Sequence, residues 1–87
     1  MYYVYALVNS SYTRIYVGIT NNPNRRLNEH NRRQVISTKG YVPWKRFYLK
    51  AVTSRKEARE LEKKLKSGKG KEYLKSIMIK RFNLHSD

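Results

Sequence analysis

Two runs of β-branched and aromatic residues, Tyr2 to Val8 and Arg14 to Ile19, flank the short segment that opens with Asn9-Ser10-Ser11, and this pairing constrains the fold more than any other feature. Such runs suit a pleated, half-buried surface, and Asn and Ser between them bend the chain through local side-chain hydrogen bonds, so the spacing predicts a β-hairpin. Thr20-Asn21-Asn22-Pro23 then reads as a helix start. Asn22 is suited to the N-cap, and Pro23 to the first helical position, where a missing N–H costs nothing. This helix is expected to reach about Arg33. The polar stretch from Gln34 to Gly40, closed by Pro43, reads as an exposed loop, and Trp44 to Val52 as a third strand. Ser54 followed by Glu57 is a capping box that opens a helix with the apolar stripe Ala58, Leu61 and Leu65. Gly68-Lys69-Gly70 should break it, and a last amphipathic helix should turn Tyr73, Leu74, Ile77 and Met78 inward. The order is ββαβαα. Three short strands need cover, so the expected architecture is α/β: a small three-stranded, antiparallel-rich sheet flanked by helices.

A chain of 87 residues supports one modest core. One domain is expected over residues 1–81, with 82–87 as a frayed tail; no linker or internal repeat divides it. The 20 Lys and Arg against 6 Asp and Glu leave a formal net charge of +14, so the surface seeks polyanions. Nucleic acid is the first such partner and an anionic membrane surface the second, while no apolar run is long enough to span a bilayer. Met1 is followed by strand-like alternation rather than a leader, and the absence of cysteine rules out disulfides and thiolate metal sites. A cytoplasmic protein is the expectation. The eight tyrosines either build half-buried sheet faces or stack on bases.

Chemistry-bearing residues follow from spacing. The acids Glu29, Glu57, Glu60, Glu62, Glu72 and Asp87 all fall on or beside expected helices or at the tail. A two-metal centre needs several converging carboxylates, whereas one Mg²⁺ needs a single carboxylate with waters and a substrate phosphate. Glu62 lies four residues after Ala58 and three before Leu65 and so borders the inward stripe. Its structural alternative is an i,i+4 ion pair with Lys66. Arg26 and His30 share one helix face, where a guanidinium could clamp phosphate and a neutral imidazole accept a proton. The alternative for them is a solvated basic helix with Arg25, Arg32 and Arg33. His85 has no such company. Tyr5 and Tyr16 sit on the two hairpin arms; a phenol serves as a base only beside a cation or histidine, and otherwise packs. Gly18 marks a bulge or a close backbone approach. Arg25 and the lysines Lys63, Lys64, Lys66, Lys69, Lys71 and Lys75 either track a phosphate backbone or form a solvated face, and Trp44 and Tyr41 either pack or stack on bases.

Singly, each residue has a structural explanation, but those explanations do not generate their joint order. Tyr3-Val4-Tyr5, then Tyr16-Val17-Gly18, then Arg26 and His30 in Arg26-Leu27-Asn28-Glu29-His30-Asn31, then Glu57 to Glu62 followed by Lys63-Lys64-Leu65-Lys66, resemble the GIY-YIG nuclease family. The resemblance covers about residues 2 to 80 and is nearer the small stand-alone bacterial members than the excinuclease that carries such a domain at the start of a much longer chain. It implies a three-stranded sheet flanked by helices, and metal-dependent hydrolysis of a DNA phosphodiester in a repair-type role. Carried over, Tyr5 and Tyr16 would help deprotonate the attacking water, Arg26 would hold the scissile phosphate, His30 would support a tyrosine, and Glu62 would bind Mg²⁺ or Mn²⁺. The chain departs from the pattern at Tyr3 in place of glycine, Ile19 in place of a frequent lysine, and Leu74 in place of an asparagine. The implied partner is DNA, branched or nicked, ahead of RNA, bound in a salt-sensitive and sequence-tolerant way, with room for a separate targeting protein. Two rival readings are a non-catalytic DNA- or RNA-binding module of the same fold and a basic accessory of a ribonucleoprotein, both indifferent to Glu62.

Overall fold

Strand β1 (Tyr2–Asn9) lies between β2 (Ile15–Thr20) and β3 (Trp44–Val52), antiparallel to both, in a computed structural model that describes residues 1–84. Central in a sheet covered on both faces, β1 is buried from Val4 through Asn9. Alternation sends Val4, Ala6 and Val8 into one core with Val17 and Phe47. Helices α2 (Arg55–Lys66) and α3 (Gly68–Arg81) cover that core with Ala58, Leu65, Leu74 and Met78. Tyr5 and Leu7 enter a second, smaller core with Trp44, against which Leu27 of helix α1 (Pro23–Asn31) packs. The expected ββαβαα order and the flanked antiparallel sheet are both present.

Local chemistry sets the joints. The Asn9 side chain closes the hairpin loop, accepting from the backbone N–H groups of Thr13 at 2.9 Å and Arg14 at 2.8 Å. Asn22 caps α1 by accepting from the Arg25 N–H at 3.1 Å, with Pro23 at the first position. The helix stops at Asn31 rather than Arg33, because Arg33 turns into the left-handed region with φ 62°. Ser54 caps α2 by accepting from the Glu57 N–H at 3.2 Å, which bears out the capping box.

Four expectations need correction. The stretch after α1 is not simply an exposed loop: Thr38 is buried, because it bonds His30 through its hydroxyl and accepts Trp44 Nε1–H at its carbonyl, 2.9 Å away. Gly68-Lys69-Gly70 is not the break between the last helices; Ser67 alone is, accepting from the Gly70 N–H and donating to the Lys64 carbonyl. Tyr73 is 53% exposed, edge-on to Tyr48, while Leu74 and Met78 face inward with Ile77 partly buried. The tail does not fray from Phe82: that ring packs between Tyr12 and Phe47, and Leu84 also meets the core. His85, Asp87 and the rest of the expected frayed tail lie outside the described residues.

At Gly70, α3 passes close against the end of α2. A methyl at this position would overlap the Lys64 carbonyl and Leu65. Gly70→Ala should therefore lower stability by about 1–3 kcal/mol, the usual range for overpacking, despite alanine's better helix propensity. Urea unfolding measures it; an unchanged or raised midpoint would show that the two helices can separate without cost.

Candidate active site

The pairing of Leu7 with Tyr16 and of Tyr5 with Gly18 places these four residues on the sheet face that α1 covers. Tyr5 is 2% exposed, and its ring lies across Gly18: a Cβ at Gly18 would stand 2.6 Å from the Tyr5 hydroxyl oxygen. The close approach expected at Gly18 is thus made by Tyr5 from within the sheet. Any side chain larger than hydrogen would push the phenol off its seat.

A buried phenol needs a partner. Tyr5 finds it 25 residues away in His30, whose Nε2 is 2.8 Å from the hydroxyl. His30 is itself fully buried, and its Nδ1 lies 2.7 Å from Thr38 Oγ1. The Thr38 hydroxyl can donate onward to the Val35 carbonyl at 3.4 Å. That outlet assigns the network: Nδ1–H donates to Thr38, and Nε2 accepts from the Tyr5 hydroxyl. Burial pushes the Tyr5 phenol up to about 12, against the opposing pull of Arg26, with Tyr16 adding to the rise. Burial, reinforced by the Arg26 charge, drops His30 to about 4. Both groups are neutral at pH 7.

Arg26 supplies the positive charge. Its Nη1 is 2.9 Å from Glu29 Oε1, and this bond, assisted by Tyr5, raises an already high pKa. Glu29 also meets Arg25 at 3.8 Å and so gathers both arginines on one turn of α1. A guanidinium has five N–H donors, and the Glu29 bond occupies one, which leaves Arg26 able to grip an anion. Tyr16 completes the cluster, with ring centroids 4.9 Å from His30 and 6.2 Å from Tyr5. Unlike Tyr5 it is only half-buried, and it lines an open cleft together with Arg26, Gln34 and Ser37. A second cleft, of about 270 Å³, joins Arg25, Arg26 and Arg55. Tyr5, Tyr16, Arg26 and His30 therefore converge as the sequence predicts.

Glu62 stands apart from them. It belongs to α2, which packs on the opposite face, and its carboxylate pairs with Lys66 at 3.2 Å. Its side chain is 16% exposed. Lys66 lines a groove at the β2 edge that Tyr16 also lines, so the Glu62 turn and the tyrosine cluster meet around that edge. No three His, Cys, Asp or Glu gather to hold a metal among the described residues. A part-buried lone carboxylate with one displaceable lysine partner does fit a hydrated Mg²⁺ or Mn²⁺ that keeps most of its waters.

The basic residues do not form one row. Lys66 and Lys71 line the β2-edge groove, Lys69 faces a different cleft with Lys64 and Lys50, Lys63 is exposed on α2, and Arg25 lies on the α1 side. Trp44 is buried and so cannot stack on bases, while Tyr41 is exposed beneath the Arg14 guanidinium at 4.8 Å. Leu74 is wholly buried, which explains why no polar residue stands there.

Three contributors escaped the sequence reading. Thr38 sits in an apparently featureless polar stretch, Glu29 had no signal beyond its three-residue offset from Arg26, and Asn31 clamps α1 to β3 by bonding both the N–H and carbonyl of Trp44.

Comparison with known proteins adds one match. The family model of the GIY-YIG catalytic domain matches residues 1–75. No curated protein and no solved structure matches the chain.

Two outcomes follow from the buried chain of bonds. Because His30 falls from 6.5 to about 4 on folding, the unfolded state binds more protons than the native state between those values. Stability should be full above about pH 6.5 and fall as the pH drops toward 4, by about 3 kcal/mol in all. Urea unfolding across that range checks it, and His30→Gln should flatten the slope. Separately, Thr38→Val should cost about 1–2 kcal/mol, with Thr38→Ser recovering most of it. In ¹⁵N spectra of the wild type, Nε2 should be the unprotonated nitrogen of His30, and Thr38→Val should mix the two tautomers; a protonated Nε2 in the wild type would refute the assignment.

Proposed function

The chain belongs to the GIY-YIG catalytic-domain family, and on that premise we propose that it is a metal-dependent DNA endonuclease that nicks one strand by hydrolysing a phosphodiester. Family membership points to a nuclease in general terms, with a nucleic acid as substrate. The observation that carries the finer reading is Arg26 and Tyr16 lining one open cleft, backed by the buried Tyr5 and His30.

In the proposed reaction Arg26 grips the non-bridging oxygens of the scissile phosphate, and its charge opposes the charge that builds on them as the nucleophile attacks. Tyr16, half-buried at the cleft, is the phenol that meets the attacking water and takes part in removing its proton. Tyr5 is out of contact with solvent, and with its pKa near 12 it suits a supporting role. Through Tyr5, the neutral imidazole of His30 and the Thr38 hydroxyl hold a fixed hydrogen-bond direction beneath Tyr16. Glu62 would hold one divalent ion, Mg²⁺ or Mn²⁺, once Lys66 gives way. When bound, such an ion supplies Lewis-acid polarisation of a phosphoryl oxygen. Arg25, Lys63, Lys66, Lys69 and Lys71 would neutralise phosphates flanking the cleft, and the long-range attraction of the +14 chain would concentrate DNA on it.

A second reading has one observation of its own: the Glu62–Lys66 pair already satisfies that carboxylate, as in a binding module with no use for metal. Supercoiled plasmid at low salt, with Mg²⁺ or Mn²⁺ and an EDTA control, separates the two. The wild type should convert plasmid to the nicked form only with metal. Arg26→Ala and Glu62→Ala should each lose about 100-fold or more in rate, while plasmid binding by Glu62→Ala stays intact. Nicking that persists in both variants, or metal-independent nicking, sinks the nuclease site as assigned; no nicking with equal binding favours the module, leaving only a special DNA structure to rescue catalysis.

A further inference from the structure

The β2-edge groove is built differently from the clefts at Arg26. It has a volume of about 500 Å³ and lies between β2, α2 and α3. Its floor is apolar: Ile15, Val17, Leu65, Leu74, Met78 and Ile79. Tyr12 and Tyr16 form one wall, and Arg14, Lys66, Lys71 and Lys75 stand around the rim. No acidic side chain lines it among the described residues. A hydrophobic floor beneath a purely cationic rim is matched by a ligand with a flat apolar body and a negative edge.

We propose that this groove binds an unpaired nucleotide of the substrate strand, base on the floor and phosphates on the rim. The inference rests on the nuclease reading and names its substrate class: DNA with an unpaired residue next to the cleaved bond. Intact duplex keeps its bases stacked inside the rod and presents phosphates, so it could meet the rim while leaving the apolar floor wet. An extrahelical base can cover the floor and stack its face on Tyr12 or Tyr16, and such stacking is worth about 1–3 kcal/mol per base. The volume is at the scale of single-ligand sites. Tyr16 belongs both to this groove and to the Arg26 cleft, so a strand seated in one runs directly into the other.

The test uses the full chain carrying Glu62→Ala, in EDTA, and measures binding by fluorescence anisotropy of two labelled duplexes. One is fully paired and the other has a single unpaired nucleotide. The bulged duplex should bind about tenfold or more tightly. Ile79 is 44% exposed, so Ile79→Asp can place a carboxylate on the floor without emptying the core, and it should erase that preference while changing paired-duplex affinity little. Leu49→Asp, an equally exposed site on β3, should preserve the preference. Equal affinity for both duplexes, a preference that survives Ile79→Asp, or one lost equally in Leu49→Asp would each overturn the proposal. The nuclease reading fails separately: if the chain with Glu62 intact prefers the bulge but cuts neither plasmid nor the bulged duplex with metal, the groove stands and the activity is lost. A chain that nicks without preference does the reverse.

Discussion

Burial of β1 on both faces is the constraint from which the rest of the structure follows. With α2 and α3 over one face of the sheet and α1 over the other, the central strand has no solvent side, and alternate residues enter the two cores. Val4, Ala6 and Val8 meet this demand without cost. Tyr5, on the opposite face, carries a hydroxyl into a region where an unmatched polar group would cost about 1–3 kcal/mol. The chain answers with Gly18 to make room and with His30 and Thr38 to satisfy the bonds. No buried side-chain nitrogen or oxygen among the described residues is left without a partner. The candidate site is therefore also a structural solution, and its precision comes from packing.

That solution has an electrostatic consequence. A phenol near 12 hydrogen-bonded to an imidazole near 4 is a pair that resists proton transfer, since moving the proton across opposes both shifts. At rest the cluster is a neutral, oriented bed beneath the Arg26 cation. Change has to come from outside, through a phosphate drawn to Arg26 or a cation near Tyr16, and the more exposed Tyr16 is the phenol that such charges reach. The gradient from buried Tyr5 to half-buried Tyr16 separates a phenol held in place from one that a ligand can reach, a division that two tyrosines in a sequence do not reveal.

The elements were legible because their signals are local. Asn22-Pro23 and the Ser54 to Glu57 capping box act within one helical turn, and the alternation of Tyr2 to Val8 needs only the period of a strand. Tyr5, Tyr16, Arg26 and His30 were legible as a set through their joint order, which resembles the family pattern, and hairpin register and helix periodicity then bring them to one face. Thr38 was not, because its burial is decided by His30 and Trp44, which reach it only after the chain has folded. The same applies to Phe82: nothing in its neighbours forecasts a ring held between Tyr12 and Phe47. Tyr73 erred the other way, since a helical stripe four residues wide was expected where Leu74 and Met78 suffice to fill the available core.

The free edge of β2 is where the candidate site and the cationic groove meet across the two faces of the sheet. Tyr16 and Gly18 point toward α1, Ile15 and Val17 toward α2 and α3, and no further strand among the described residues pairs with β2 to keep the faces apart. Both the Arg26 cleft and the cationic groove open there, and the Glu62 turn reaches it through Lys66. On a chain so strongly positive, a bare divalent cation is repelled while a phosphodiester is attracted. On the proposed reading the physical order this favours is nucleic acid first: its phosphates would reverse the local sign of charge, offer Lys66 an alternative anion, and free the Glu62 carboxylate. A lone carboxylate held by a lysine is then compatible with catalysis, because the remaining oxygen ligands and negative charge would arrive with the substrate.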